Sequence, residues 1–305
     1  MPSLKSLKTH LLNLADARYR RFYLQRRVQS LAALESRADA IAARLPRFEG
    51  RKSALADRAV AELKSQGYAM VSEAISPAAV KSLHDFFCVQ AVVDPYRPEL
   101  GSFVPPDNVP KGTHVAYFPG NLVARAPGIY DIVNHPDILS AVARTLGGKP
   151  TIGYMAIWWS LPAQDGKALQ AENYHRDVDD WRFVKLFTYL TDVDETSGPH
   201  VYVPGSHNTD KLATIRRYEE QEVFAAFGPD CEKRFTGPAG TAFLENTYGF
   251  HRGYPPKSRP RLALGVTYCI ESVPYGPKHP VGTIGRDGVP AHIDPFINRV
   301  YCNPR

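Results

Sequence analysis

Cysteine is scarce in this chain. The four thiols stand at positions 88, 231, 269 and 302 with no CxxC spacing, which excludes a disulfide framework and a zinc knuckle. No stretch approaches the roughly 20 apolar residues of a spanning helix. The first residues carry Lys5, Lys8 and then Asp16 without the unbroken apolar core of a secretory signal. The cytoplasm is therefore the expected address. Glycine-rich dinucleotide signatures, phosphate-cradling loops and Ser or Cys nucleophile triads are missing, and nucleic acid is not an expected partner. What is present is an ordinary globular composition of 305 residues, 44% hydrophobic, with 37 Lys+Arg against 31 Asp+Glu. That suffices for a sizeable core. Its 26 Pro, 22 Gly, 16 Tyr and 14 Phe point to turns and aromatic strands rather than to a helical bundle.

Positive charge is concentrated at one end. Residues 1–58 hold 13 Lys/Arg against five acids. Leu4, Leu7, Leu11, Leu12, Leu14, Phe22, Leu24, Val28, Leu31, Leu34, Ile41 and Leu45 recur there at helical intervals. Two readings stand side by side: a basic amphipathic helix making peripheral membrane contact through residues 1–50, or a packing or oligomerising helix with a solvated charged face. Helices are expected over Ser53–Gln66, closed by Gly67, over Pro77–Phe87 behind Ser76, and over Asn134–Leu146, closed by Gly147. Residues 92–130 read as long loops and Lys211–Phe227 as a helical insertion. Strands are expected at Tyr68–Val71, Thr151–Leu161, Phe183–Leu190, His200–Val203, Thr241–Leu244 and Leu262–Ile270. The division follows: a helical extension over 1–52, a mainly β domain with flanking helices over 53–275, and a tail over 276–305 packing on it.

The chemistry is sought among the ten histidines. A His-x-Asp pair on a strand places both side chains on one face, and the chain has three. His135-Pro136-Asp137 opens a helix and reads as structural. His292-Ile293-Asp294 has no later histidine to complete a site. His175-Arg176-Asp177 precedes an aromatic strand and finds a third partner in His251. Two imidazoles and a carboxylate suit a non-haem iron centre with open positions, while zinc is the other metal they fit. A cosubstrate with a distal carboxylate would separate the two, and Arg261, ten residues beyond His251, is the natural bidentate partner.

Three segments carry a resemblance. Tyr174–His207 (YHRDVDDWRFVKLFTYLTDVDETSGPHVYVPGSH), Pro238–Tyr268 (PAGTAFLENTYGFHRGYPPKSRPRLALGVTY) and Leu63–Leu83 (LKSQGYAMVSEAISPAAVKSL) resemble the phytanoyl-CoA dioxygenase family of Fe(II)/2-oxoglutarate oxygenases, over roughly 59–275. The resemblance implies a double-stranded β-helix, or jelly roll of cupin type. It implies iron on His175, Asp177 and His251, and 2-oxoglutarate held by Arg261, with His200 and His207 as scaffold. Many relatives carry a hydroxyl two residues after the distal histidine, where this chain has Gly253, so Thr188 or Tyr154 is the expected substitute. Asp177 is intact, unlike in the halide-transferring relatives.

The activity so implied is hydroxylation of an unactivated C–H, with 2-oxoglutarate and O2 converted to succinate and CO2. Trp158, Lys111 and Arg252 are the candidate substrate contacts. The substrate is expected to be a small molecule, an acyl group or a lipid-linked sugar; Kdo-type hydroxylation of lipopolysaccharide is one candidate if the N-terminus meets a membrane. Homo-oligomerisation stays open. So do two other classes: a zinc- or manganese-binding cupin hydrolase or isomerase, and a non-catalytic binding module.

Overall fold

A computed structural model describes residues 13, 15–162 and 168–305. Residues 1–12 and 14, which include Leu4, Leu7, Leu11, Leu12 and Leu14, lie outside the described residues. Two helices, α1 (Ala17–Gln25) and α2 (Leu31–Ala42), precede α3 (Ala54–Gln66), β1 (Tyr68–Met70) and α4 (Pro77–Phe87). Short strands β2 (Val92–Val93), β3 (Ser102–Phe103) and β4 (Val115–Tyr117) follow, then α5 (Gly120–Val123), α6 (Ile129–Val133) and α7 (Pro136–Leu146). The long strands β5 (Thr151–Ser160) and β6 (Phe183–Tyr189) lead to β7 (His200–Tyr202), α8 (Glu220–Phe227) and β8 (Lys233–Phe235). The chain ends with β9 (Ala242–Glu245), β10 (His251–Gly253), β11 (Arg261–Cys269), β12 (Gly282–Thr283) and β13 (Cys302–Asn303).

Local chemistry sets the helix ends. Ser53 accepts a hydrogen bond from the Ala56 N–H at the start of α3, and Gly67 closes it at φ 90°. Pro77 occupies the first turn of α4, where its missing N–H costs nothing. Gly147 closes α7 at φ 86°. The expected helix over Lys211–Phe227 is confined to α8, because 211–219 turns back to place Tyr218 in a bridge with Tyr174. The expected loops of 92–130 hold three short strands and two short helices; two- and three-residue strands are too brief to show a period of two.

Eight strands form one antiparallel sheet in the order β1-β9-β6-β11-β5-β4-β2-β3, and β10-β7-β8 form a second. Alternation divides the long strands between two environments. One face of β6, with Val184 and Leu186, joins the main core under α3 and α7, alongside Ala59, Leu63, Ile138 and Val142. The other face, with Phe187 and Tyr189, meets the small sheet in a second cluster with Tyr202, Phe235 and Phe243. Phe235 and Phe243 stack across the two sheets at 4.1 Å. The space between the sheets is where the candidate site lies.

The N-terminal helices pack on this body. Arg18 donates to the carbonyls of Gly276 and Pro277, Arg21 donates to Ser272, and Arg182 pairs with Glu35 and Asp39 of α2. Gln25 is buried; oriented to satisfy both groups, its amide donates to Val178 O and accepts from Trp181 N, each at 3.0 Å. Among the described residues no helix is long and apolar enough to cross a membrane. At the other end, Tyr301 accepts through its hydroxyl from the Met155 N–H at 2.7 Å, and Asn298 exchanges hydrogen bonds with Asn134.

Candidate metal centre

His175 and His251 face each other across an isolated antiparallel bridge, with reciprocal backbone bonds of 3.1 Å. Paired residues on such a bridge share a face, and the two rings lie 4.2 Å apart. Asp177, two residues past His175, returns to the same side. One donor atom from each of His175, Asp177 and His251 lies within 4.8 Å of the others. The His175 Nε2 is 3.6 Å from Asp177 Oδ1 and the His251 Nε2 is 3.3 Å from Oδ2.

The outer atoms of the imidazoles are already committed. His175 Nδ1 lies 2.9 Å from Asn173 O and His251 Nδ1 lies 3.0 Å from Gly249 O. A carbonyl only accepts, so each Nδ1 carries the proton and each Nε2 lone pair points into the triad. Burial, and then the neighbouring His251, hold His175 well below the usual histidine range. For His251 burial works downward, but the Asp177 carboxylate outweighs it and raises the group. Burial alone would raise Asp177, yet Lys185 and then the imidazoles hold it well below the usual carboxylate range. This donor set fits a divalent cation, whose charge would take over the stabilisation that protons on the imidazoles otherwise supply.

Lys185 escaped the sequence reading. It projects from β6, 2.6 Å from Asp177 Oδ2 and 2.7 Å from Asp179 Oδ2, and the two carboxylates keep it charged against its burial. A lysine in an aromatic strand looks like an outward-facing residue, and only the position of β6 beside the bridge shows otherwise. His200 is close by and outside the ligand set: its ring lies 5.6 Å from that of His251, and Nε2 is 2.9 Å from Glu245 Oε2. Burial pushes Glu245 up to about 8 and holds His200 well below its usual range, which describes a neutral hydrogen-bonded pair. His207 is buried and bonds Lys64 O.

Arg261 opens β11 and is buried. It donates to Gly198 O and, at 3.0 Å, to Ser160 Oγ, while its Nε has no partner among the described residues. Gly253 borders it: a Cβ there would lie 3.4 Å from the Arg261 Nη2. Ser160, directly opposite Arg261 in the β5–β11 register, brings a hydroxyl to this guanidinium.

Neither expected substitute does so. Thr188 lies between Phe187 and Tyr189, so alternation turns it toward the face of Val184 and Leu186, and its Oγ1 is buried without a partner. Tyr154 shares the site's face, but it stands six residues from Ser160, about 20 Å along the strand, beside Lys185 and Asp179. Among the substrate candidates, Trp158 faces the inter-sheet space, stacked on Tyr117 at 5.7 Å and edge-on to Phe187. Gly265 gives it room, since a Cβ there would fall 2.8 Å from the indole. Arg252 is a correction. One residue beyond His251, it points the opposite way, over the Tyr174 ring and paired with Glu220 and Glu232. Lys111 is exposed, and its carbonyl accepts from Arg97; the structure does not bring it to the triad.

A model of the family described as phytanoyl-CoA dioxygenase (PhyH) matches residues 63–260. No curated protein matches. Among solved structures, the non-heme alpha ketoglutarate dependent carbocyclase SnoK from nogalamycin biosynthesis is 21% identical, with 72% of this chain and 87% of that chain covered and a TM-score of 0.51. The epimerase SnoN of the same biosynthesis is 18% identical over 79% and 94%, with a TM-score of 0.49. HygX from Streptomyces hygroscopicus, solved with nickel and 2-oxoglutarate, is 14% identical over 69% and 85%, with a TM-score of 0.47.

Proposed function

The chain belongs to the phytanoyl-CoA dioxygenase family, and on that premise we propose that it hydroxylates an unactivated C–H bond of a small-molecule, acyl or lipid-linked substrate, on a double-stranded β-helix. Its cofactor is iron(II), with 2-oxoglutarate as cosubstrate. Bound together they supply, with O2, an oxidant that hydroxylates carbon while 2-oxoglutarate becomes succinate and CO2.

The residues present divide that work. His175, Asp177 and His251 would hold the metal through two Nε2 atoms and a carboxylate. Lys185 engages Asp177 Oδ2, which leaves Oδ1 turned toward His175. Arg261 would take the distal carboxylate of 2-oxoglutarate as a charge-assisted pair, with Ser160 as second donor and Gly253 leaving the space beside it. Phe187, Phe243 and the neutral His200–Glu245 pair line the back of the site and keep water from it. Two of the basic side chains that would favour a membrane surface, Arg18 and Arg21, are engaged on the body of the protein, which favours a substrate met in solution.

One observation carries the reading: two imidazoles whose Nδ1 protons are tied to backbone carbonyls present their free nitrogens to one carboxylate. The test is succinate release from 2-oxoglutarate. Iron(II) should support it, zinc or manganese should not, and His175→Ala should lower it at least 100-fold. Hydrolytic or isomerase turnover on zinc or manganese with no succinate on iron would replace this reading with that of a metal-binding cupin.

A further inference from the structure

The rim above the triad carries two guanidinium groups that this chemistry leaves unused. Tyr174 and Tyr218 form an isolated antiparallel bridge, closed by a 2.8 Å bond from Tyr218 N–H to Tyr174 O, and both rings lie in one buried cluster. Their neighbours therefore project to the other side as a facing pair. One is His175, which faces His251; the other is Arg217. Arg217 lies within electrostatic reach of His175 and Asp177 of the triad and of Tyr96, Arg26 and Tyr275.

Arg26 reaches the same place from α1, which it caps. Its guanidinium lies 5.4 Å from the Phe22 ring, and Phe22 meets Tyr275 edge-on at 5.9 Å. Tyr275 lies beside Asp179, which Lys185 ties to Asp177. All four rim residues are exposed, Tyr96 at 54% and Tyr275 at 45%.

Nearby arginines are neutralised: Arg216 by Glu222, Arg18 by Asp16, Arg21 by Glu271. Arg217 and Arg26 have no ion-pair partner among the described residues; of the carboxylates that face the rim, Asp177 and Asp179 already share Lys185, and Asp94 and Glu172, beside Tyr96, are engaged by Arg97 and His114. Two neighbouring cations with no anion repel each other, and an arriving anion relieves that repulsion. A phosphoryl ester matches them best: its dianion balances two charges, and its three oxygens suit two planar forks.

We propose that Arg217 and Arg26 are a specificity clamp for a phosphoryl group on the substrate, with Tyr96 and Tyr275 flanking the carbon skeleton that enters the metal site. The inference rests on the oxygenase reading of the triad and adds the substrate class.

The test uses full-length protein loaded with nickel(II) and saturated with 2-oxoglutarate, so that Arg261 is occupied, and titrated with phenyl phosphate by calorimetry. Phenyl phosphate should bind, and phenol at least tenfold more weakly. Arg217→Ala and Arg26→Ala should each weaken phenyl phosphate at least tenfold, Arg217→Lys should retain part of the affinity, and 2-oxoglutarate should bind all variants within twofold of wild type. Phosphatidylcholine vesicles with and without phosphatidic acid distinguish the sources. Arginine-dependent co-sedimentation supports the clamp with a lipid headgroup as its source, and phenyl phosphate binding without co-sedimentation supports it with a soluble ester. Phenyl phosphate affinity unchanged in both alanine variants, or equal affinity for phenol, overturns the clamp. Loss of 2-oxoglutarate binding from the wild-type protein would instead overturn the oxygenase reading beneath it.

Discussion

At Lys185, a single ammonium bridges Asp177, a proposed metal ligand, and a second carboxylate, Asp179. Partners of this kind, bonded to a ligand rather than to the metal, typically tune affinity 10- to 100-fold. Lys185→Met should weaken iron(II) or nickel(II) binding by about that factor with the fold intact, and Lys185→Arg should recover part of it; unaltered affinity in Lys185→Met would remove the role. Ser160 makes a subtler contribution. Losing one hydrogen bond of about 0.5–1.5 kcal/mol should raise the KM for 2-oxoglutarate roughly 2- to 10-fold in Ser160→Ala with kcat little changed, whereas Thr188→Ala should leave that KM alone. At this scale the sequence was informative where spacing itself is chemistry. His175 and Asp177 are two apart on an extended chain, and His251 and Arg261 belong to a segment whose residue order shows the resemblance. Ser160 and Lys185 were hidden because their roles depend on strand register and on which face of β6 turns inward. Arg252 was misassigned for the same reason: adjacency to a ligand along a strand means pointing away from it.

At the scale of elements, the turn before β7 holds the carbonyl that Arg261 uses. Gly198 sits there at φ 69°, and a Cβ would fall 2.3 Å from Tyr254 O. Both the left-handed backbone and that backbone clash count against any side chain. Gly198→Ala should lower the thermal midpoint and also raise the KM for 2-oxoglutarate; a change in stability alone would show that the turn does not position Arg261. The contact of β9 with the small sheet, through Glu245 and His200, makes a second prediction. Glu245 is protonated up to about pH 8 in the fold but only to about 4.3 in an unfolded chain. The folded state therefore holds the extra proton between these values, and stability falls as pH rises through that window, by up to about 1.4 kcal/mol per unit. Urea unfolding of metal-free wild type and Glu245→Gln at pH 5 and pH 8 tests this: the variant should lose less stability between the two, and equal losses would contradict it. The long strands and capped helices were legible within one or two residues, since alternation, Ser N-caps and closing glycines are local signals. The small strands of 92–130 were not, because their pairing is built outward from β5, through β4 to β2 and β3.

Over the whole molecule, the basic N-terminal region joins the β body at the stretch that follows His175 and Asp177, two of the proposed ligands. Gln25 spans the junction, buried and bonded to Val178 and Trp181. Gln25→Ala would leave the buried Val178 carbonyl without its amide partner, while Trp181 N keeps Asp180; the cost is about 1–3 kcal/mol, so urea unfolding should show a loss of that size, with weaker metal binding because Val178 follows Asp177. A loss of stability with metal affinity unchanged would separate the helices from the site. The helical periodicity of this region was visible in the sequence; its destination was not, because an amphipathic stripe does not say what it covers. Catalysis as proposed requires the triad and Arg261 to act as one site. The most direct test is an anaerobic titration of the full-length protein with iron(II) and 2-oxoglutarate, followed by the visible charge-transfer band of a 2-oxo acid chelated to iron(II). The account predicts saturation at one iron and one 2-oxoglutarate per chain, no band in His175→Ala or His251→Ala, and in Arg261→Ala a band needing about 100-fold more 2-oxoglutarate. A band that persists in the histidine variants, or none in the wild-type protein, would contradict it.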